Sequence, residues 1–180
     1  MITYTEDFGW WGPKGEWVSH HDPYLGPEEY SYCTAYERLL KCGRDNYVFF
    51  HTTKTDPVTR HQKRFITAYF VIKAVGPGKQ IVPKYGITKA AKHAENRANH
   101  YVIVGDKRSR KLKEPGLRFD RPLAKKLVFD PPKRIRFGIT NKHGDRLSEL
   151  QCIASATRNI RILTDEDVDN LRHEINRLGL

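Results

Sequence analysis

The stretch RFITAYFVIKAV at 64–75 constrains this chain more than any other. It is aromatic or β-branched almost throughout, holds no glycine or proline, and stops at Gly76-Pro77-Gly78. It therefore reads as a long strand. A second strand is expected over 46–52, where alternation sends Tyr47 and Phe49 to one face and Val48 and Phe50 to the other. With both faces apolar, that strand must be covered on both sides, as in a barrel or sandwich. His51, Thr52, Thr53 and Lys54 follow at once. They are either a plain polar strand end or the lip of a pocket with an apolar wall beneath it.

Local signals place the remaining elements. A short strand is expected at 2–5, followed by turns at Gly9, Gly12-Pro13, Gly15, Asp22-Pro23 and Gly26-Pro27. Tyr32, Tyr36, Leu39 and Leu40 fall at helical spacing, which predicts a helix over 28–41 with Gly43 just past its end. An alanine-rich helix is expected over 87–99 with Thr88 as N-cap, then a buried strand over 101–104. A short helix should start at Asp120, with Pro122 tolerated in its first turn. Ile135, Phe137 and Ile139 alternate as in a strand over 133–140. Two helices close the chain, over 147–157 and after Thr164, whose partner at the third helical position is Asp167. In the last helix Val168, Leu171, Ile175 and Leu178 make one apolar stripe. These elements predict a single α+β domain over 1–180, built on a small, twisted, barrel-like sheet with flanking helices. Residues 1–30 form an aromatic loop segment and 145–180 a helical extension. No GxGxxG follows a strand and GxxxxGK[ST] is absent, so dinucleotide-binding and P-loop folds are excluded.

Charge supplies the first functional constraint. The chain carries 32 Lys and Arg against 21 Asp and Glu, a net charge of +11. Between 107 and 136 stand Lys107, Arg108, Arg110, Lys111, Lys113, Arg118, Arg121, Lys125, Lys126, Lys133, Arg134 and Arg136, opposed by Glu114, Asp120 and Asp130 alone. Pro115, Pro122, Pro131 and Pro132 prevent one continuous basic helix. The run reads as a ribbon of positive charge for a polyanion, of which nucleic acid is the commonest. The three cysteines make no CxxC pair, which points to a reducing cytoplasm. No apolar run approaches the roughly 18 residues that span a bilayer, and MITYTEDFGWW lacks the pattern of a signal peptide. A cytoplasmic protein with no membrane partner is expected.

The segment from Gly43-Arg44-Asp45 through YVFFHT to RFITAYFVIKAV resembles the heart of PUA-like domains, in particular their EVE, YTH and ASCH branches. Those domains are similar in having a Gly-Asp turn that introduces a strand ending in an aromatic, His and Ser/Thr cluster, followed by a strand with an I-x-G-x-x-x-V signal. This chain has one extra residue in the turn and Ala68 where the glycine falls. The match covers roughly 32–75. What the resemblance implies is a barrel-like nucleic-acid-binding domain. EVE and YTH members hold a flipped, modified base in an aromatic pocket, and ASCH members include amidohydrolases.

Trp10, Trp11, Trp17 and Tyr24 lie in the Gly/Pro-rich opening segment. They are expected to stack on an extruded base or, in the competing reading, to plug the end of the barrel. Stacking contributes roughly 1–3 kcal/mol per base, enough to offset flipping. With Phe49, His51, Thr52 and Thr53 they form the expected base pocket. Lys107, Arg108, Ser109, Arg110 and Lys111 offer a phosphate cradle after a strand. Lys113, Arg118, Lys133, Arg134 and Arg136 extend it. The expected partner is DNA carrying a modified base, or RNA, since stacking and phosphate charge do not separate the two. A docking protein at the last helix is the further partner considered. The alternative is an ASCH-like enzyme using Lys54 or Lys73, Thr52 and a carboxylate. His20-His21-Asp22 lacks metal-ligand spacing. No metal, cofactor or catalytic residue is assigned.

Overall fold

The computed structural model describes the chain apart from residues 4–8, 12–16, 20–22, 27, 44, 57 and 159, and describes only the backbone at residues 3, 9–11, 17–19 and 90. The protein is α+β. Strands β1 (Ile2–Thr3), β2 (Gly9–Trp11), β3 (Trp17–Ser19), β4 (Tyr24–Leu25) and β5 (Tyr30–Thr34) come first. The two apolar stretches form β6 (Tyr47–Thr55) and β7 (Gln62–Pro77). Helix α1 (Gly78–Tyr85), β8 (Tyr101–Gly105), β9 (Arg110–Lys111) and β10 (Leu117–Arg118) follow, then helices α2 (Arg121–Lys126), α3 (Glu149–Thr157) and α4 (Asp165–Arg177). The main sheet runs β1-β6-β7-β8-β5-β4, with β9 and β10 also pairing with β7, while β2 and β3 form a separate hairpin. Among the described residues no helix is long and apolar enough to cross a membrane.

By contacts the chain divides into two compact units. The first comprises Met1–Thr3, Phe49–Ala68 and Leu112–Leu180. Here β1 pairs parallel with β6, setting Ile2 against Phe50, and β10 pairs antiparallel with β7, setting Leu117 against Ile66. Phe49, Phe50, Ile66, Phe119, Leu127 and Leu171 are fully buried. Gly116 is required at its position: at φ +96° it lies against β7, and a Cβ would come within 2.4 Å of the Ile66 carbonyl oxygen. The helix N-caps expected in this unit are present. Asp120 accepts the Leu123 N–H at 3.2 Å, with Pro122 in the first turn, and Thr164 and Asp167 form a reciprocal capping box. Ser148 and Gln151 make a second box at α3. The apolar stripe of α4 is buried at Leu171 and Ile175, whereas Leu178 is exposed. Residues 133–140 form no strand, contrary to expectation. Gly138 sits at positive φ, and the segment's one bridge is Thr140 to Arg146.

The second unit comprises Tyr4–Val48 and Tyr69–Lys111. The expected helix over 28–41 is instead strand β5 followed by a 3₁₀ helix, Glu37–Lys41. Tyr30, Tyr32, Cys33 and Thr34 are strand formers, and pairing with β8 (Cys33 opposite Val102) settles a choice that spacing alone left to the helix. Gly76-Pro77-Gly78 does not end the structure as a turn would. Pro77 immediately precedes α1, and α1 ends at left-handed Gly86. Gly78 touches the following 3₁₀ helix, Ala90–Asn96, so closely that a Cβ would stand 2.3 Å from the Ala94 carbonyl oxygen. That 3₁₀ helix replaces the expected α-helix, and Thr88 serves another purpose: its N–H and hydroxyl bond to Glu29. Cys33, Ile81, Val82, Ala91, Ala94 and Val102 belong to the core of this unit.

Candidate nucleic-acid interface

The polar residues after YVFF do not emerge at a strand end. Strand β6 continues to Thr55, and Phe49, His51 and Thr52 are buried, leaving Thr53 exposed. As folded, none of the three buried side chains presents an edge to a base. The apolar faces on both sides of β6 carry the burial past Phe50 and take His51 in with them. Of the aromatic residues expected around a base, Tyr24 is half-buried. Its hydroxyl donates to the Glu28 carboxylate at 2.6 Å, and Lys89 Nζ lies 5.6 Å from its ring centroid. Trp10, Trp11 and Trp17 lie in the β2–β3 hairpin, with Trp11 opposite Trp17 in the backbone register. Their side chains are outside the described residues, as are His20, His21 and Asp22.

In the second unit, the turn after β8 supplies its own anion. The Asp106 carboxylate accepts the Arg108 backbone N–H at 2.7 Å and the Arg108 Nε–H at 2.8 Å, and the Ser109 N–H goes to the Asp106 carbonyl at 2.9 Å. Arg108 also pairs with Asp45. These bonds hold the Asp106 carboxyl below the usual carboxylate range, with the Arg108 side chain as the largest cause, and push the Arg108 guanidinium further toward its charged form. Ser109 is buried, and its hydroxyl accepts the Val71 N–H at 3.1 Å. Of the donors that a phosphate cradle at 105–110 would offer, the Arg108 N–H and Nε–H and the Ser109 N–H are thus engaged within the turn. Arg108 is bonded to the turn's own carboxylate and Ser109 to β7.

The basic run as a whole is a different matter. Every Lys and Arg side chain between 107 and 136 is exposed. In the first unit Lys126 is bonded to Glu174 at 2.8 Å, and Arg118 stands 3.8 Å from Asp56 and 3.9 Å from Asp120. Arg121 lies over the Phe137 ring. Lys113, Lys125, Lys133, Arg134 and Arg136 have no acidic partner among the described residues. Of the residues weighed for an enzyme, Lys54 bonds Glu114 at 2.8 Å and Lys73 Nζ lies 5.4 Å from the Tyr85 ring centroid. No cluster of three His, Cys, Asp or Glu able to hold a metal occurs among the described residues.

One residue pair escaped sequence reasoning. Arg64, at the head of β7, is only 9% exposed, and its Nη1 lies 2.9 Å from His51 Nδ1. A guanidinium has donors only, so His51 Nδ1 accepts and its proton sits on Nε2. Burial, reinforced by the Arg64 charge, holds the His51 pKa well below its ordinary value, so the imidazole is neutral. The Phe119 ring packs edge-on against it at 5.4 Å. Arg64 therefore has a neutral partner where a buried cation ordinarily has a carboxylate. Its Nε–H has no acceptor among the described residues. Arg64 also lines a cleft of about 170 Å³ with Lys63, Arg118, Asp120, Glu149 and Leu150. The available signal was a cation heading an otherwise apolar strand, but nothing local identifies its partner. No protein-family model, curated protein or solved structure matches this chain.

Proposed function

We propose that the protein binds nucleic acid through the exposed cations at 107–136, on a PUA-like, barrel-like sheet. One observation carries this reading: these cations are all exposed, and Lys113, Lys125, Lys133, Arg134 and Arg136 are not neutralised by acidic partners among the described residues. A surface that leaves such charges uncompensated repels itself unless a polyanion shares it. The reading of a base, modified bases included, falls to the tryptophans of the β2–β3 hairpin, because Phe49, His51 and Thr52 are buried. Trp11 and Trp17 stand opposite one another in its backbone register.

Binding of 20-mer duplexes and single strands, unmodified and carrying methylated or hydroxymethylated bases, tests both parts. Affinity should fall steeply with salt. The variant K133A/R134A/R136A should flatten the dependence on duplex by about 2.7 in slope, about 0.9 for each phosphate contact removed. Trp11→Ala should remove base preference while leaving the slope in place. Salt-insensitive binding, or none, would overturn the reading.

A further inference from the structure

The first unit contains a buried cation that the nucleic-acid reading does not use. Arg64 is nine-tenths buried and makes one side-chain hydrogen bond among the described residues, to a neutral histidine. A guanidinium carries five donors in a fixed fork, so most of this one's capacity is unspent. Burying a charge without a counter-ion is unfavourable, and a fold that keeps one gains from an anion that completes it. Arg118 lines the same cleft from β10. Its two nearby carboxylates, at 3.8 and 3.9 Å, are too distant for strong hydrogen bonds.

The third wall is the N-terminus of α3. Its capping box uses the Ser148 and Gln151 N–H groups internally. Glu149 and Leu150 line the cleft, and their backbone N–H groups have no acceptor among the described residues. They are two of the donors that a helix start leaves unpaired, at the positive end of its dipole. Three cations, Lys63, Arg64 and Arg118, face two carboxylates, Asp120 and Glu149, so the cleft is cationic on balance. Asp120 is partly committed already, accepting the Leu123 N–H.

We propose that this cleft binds a phosphate group, held by Arg64 and Arg118 and by the backbone N–H groups of Glu149 and Leu150. Two arginine forks and a helix start offer more donors than one planar carboxylate can accept, and a tetrahedral phosphate has the oxygens to take them. The volume of about 170 Å³ is below the roughly 300 Å³ at which pockets begin to enclose drug-sized molecules. The site therefore takes the phosphate itself and leaves the rest of its bearer outside. The bearer is either a nucleic-acid strand, most simply its terminal phosphate, or a free small phosphate.

The test is titration of the full-length chain with inorganic phosphate against sodium chloride at matched ionic strength, followed by thermal shift and ³¹P NMR. Phosphate should raise the melting temperature where chloride does not. R118Q should weaken binding about tenfold, the size expected for one charge-assisted contact, and R64Q should abolish it. E149Q removes a carboxylate from the cleft and should tighten binding, a gain that misfolding cannot imitate. K133A/R134A/R136A should leave phosphate binding unchanged, which separates this site from the proposed interface. Competition with 5′-phosphorylated and 5′-hydroxyl 20-mers then identifies the bearer. Displacement by the phosphorylated strand alone assigns a strand end, and displacement by neither assigns a free phosphate. Equal stabilisation of the wild type, R118Q and E149Q by phosphate, or no stabilisation beyond that of chloride, would overturn the proposal.

Discussion

Two buried charges in the first unit are treated in opposite ways. Asp167 is completely buried, and its carboxylate accepts three backbone N–H groups: Val128 at 2.7 Å, Phe129 at 2.9 Å and Thr164 at 3.0 Å. It ties the start of α4 to the turn after α2, where Phe129 is buried at a positive φ of 64°. Arg64, nearly as buried, has one neutral acceptor and an Nε–H with none among the described residues. The difference separates a charge that completes the structure from one that waits for a partner. A buried carboxylate ringed by backbone donors has spent its capacity on the fold. A buried guanidinium with a neutral histidine has not.

The most forceful way to break this comparison is to remove the carboxylate. Asp167→Ala should cost roughly 3–5 kcal/mol in chemical denaturation, since it strands three backbone donors, among them the buried N–H of Phe129. Asp167→Asn, which keeps an acceptor, should cost less. A loss below about 1 kcal/mol for the alanine variant would show that the turn finds other acceptors, and the contrast with Arg64 would collapse. Next in size is the titration of His51, the partner of Arg64. The folded state keeps it neutral, whereas the unfolded chain takes up a proton near pH 6.5. Below that value the unfolded state binds the extra proton, so stability is full above about pH 6.5 and declines as pH falls. The limiting slope is about 1.4 kcal/mol per pH unit for one proton. Between about pH 6.5 and 5.5, where carboxylates are still almost fully ionised, His51→Gln should flatten that decline. An unchanged slope would mean that His51 is protonated in the fold, and then it could not accept from Arg64.

Both buried charges sit in elements whose boundaries were partly legible. Thr164 and Asp120 announce their helices because a cap is a contact between residues three apart, and the chain states it locally. What Asp167 does besides capping was not legible, since its other donors lie 39 and 38 residues away. Strand β5 was misread for the same reason. Its residues fit a helix by spacing, and the partner that overrules them, β8, lies far along the chain. Helix α1 was missed because Gly-Pro-Gly reads as an ending, whereas Pro77 here introduces a helix whose Ile81 and Val82 enter the core. The basic run was legible as charge. Which of its members are free was not, because that depends on where Asp45, Asp56, Asp106 and Glu174 fall. The burial of His51 follows from the length of β6, and Arg64 could be recognised as unusual only once its surroundings were known.

A smaller effect sharpens the comparison from the other side. Arg64→Met removes a buried charge that lacks a counter-ion, a change worth a gain of order 1–4 kcal/mol, and leaves His51 Nδ1 without its donor, a loss of roughly 1–3 kcal/mol. The two nearly cancel, so this variant should lie within about 1 kcal/mol of wild type while Asp167→Ala does not. Equal destabilisation by both would make Arg64 a structural residue.

The smallest effect belongs to Arg108, the exposed counterpart of Arg64. It has what Arg64 lacks, two carboxylates, Asp106 and Asp45, on its guanidinium. Yet about half of its side chain is exposed, and water screens both pairs. Arg108→Ala should leave the denaturation midpoint close to that of the wild type, because the Asp106 carboxylate keeps the backbone N–H of residue 108 and the turn keeps its shape. Oligonucleotide affinity should also stay within about twofold of wild type, since a cation already neutralised releases little counterion from a phosphate backbone. A loss as large as that of K133A/R134A/R136A would mean that Arg108 leaves its carboxylates for the ligand. The turn after β8 would then be a phosphate cradle opened by binding.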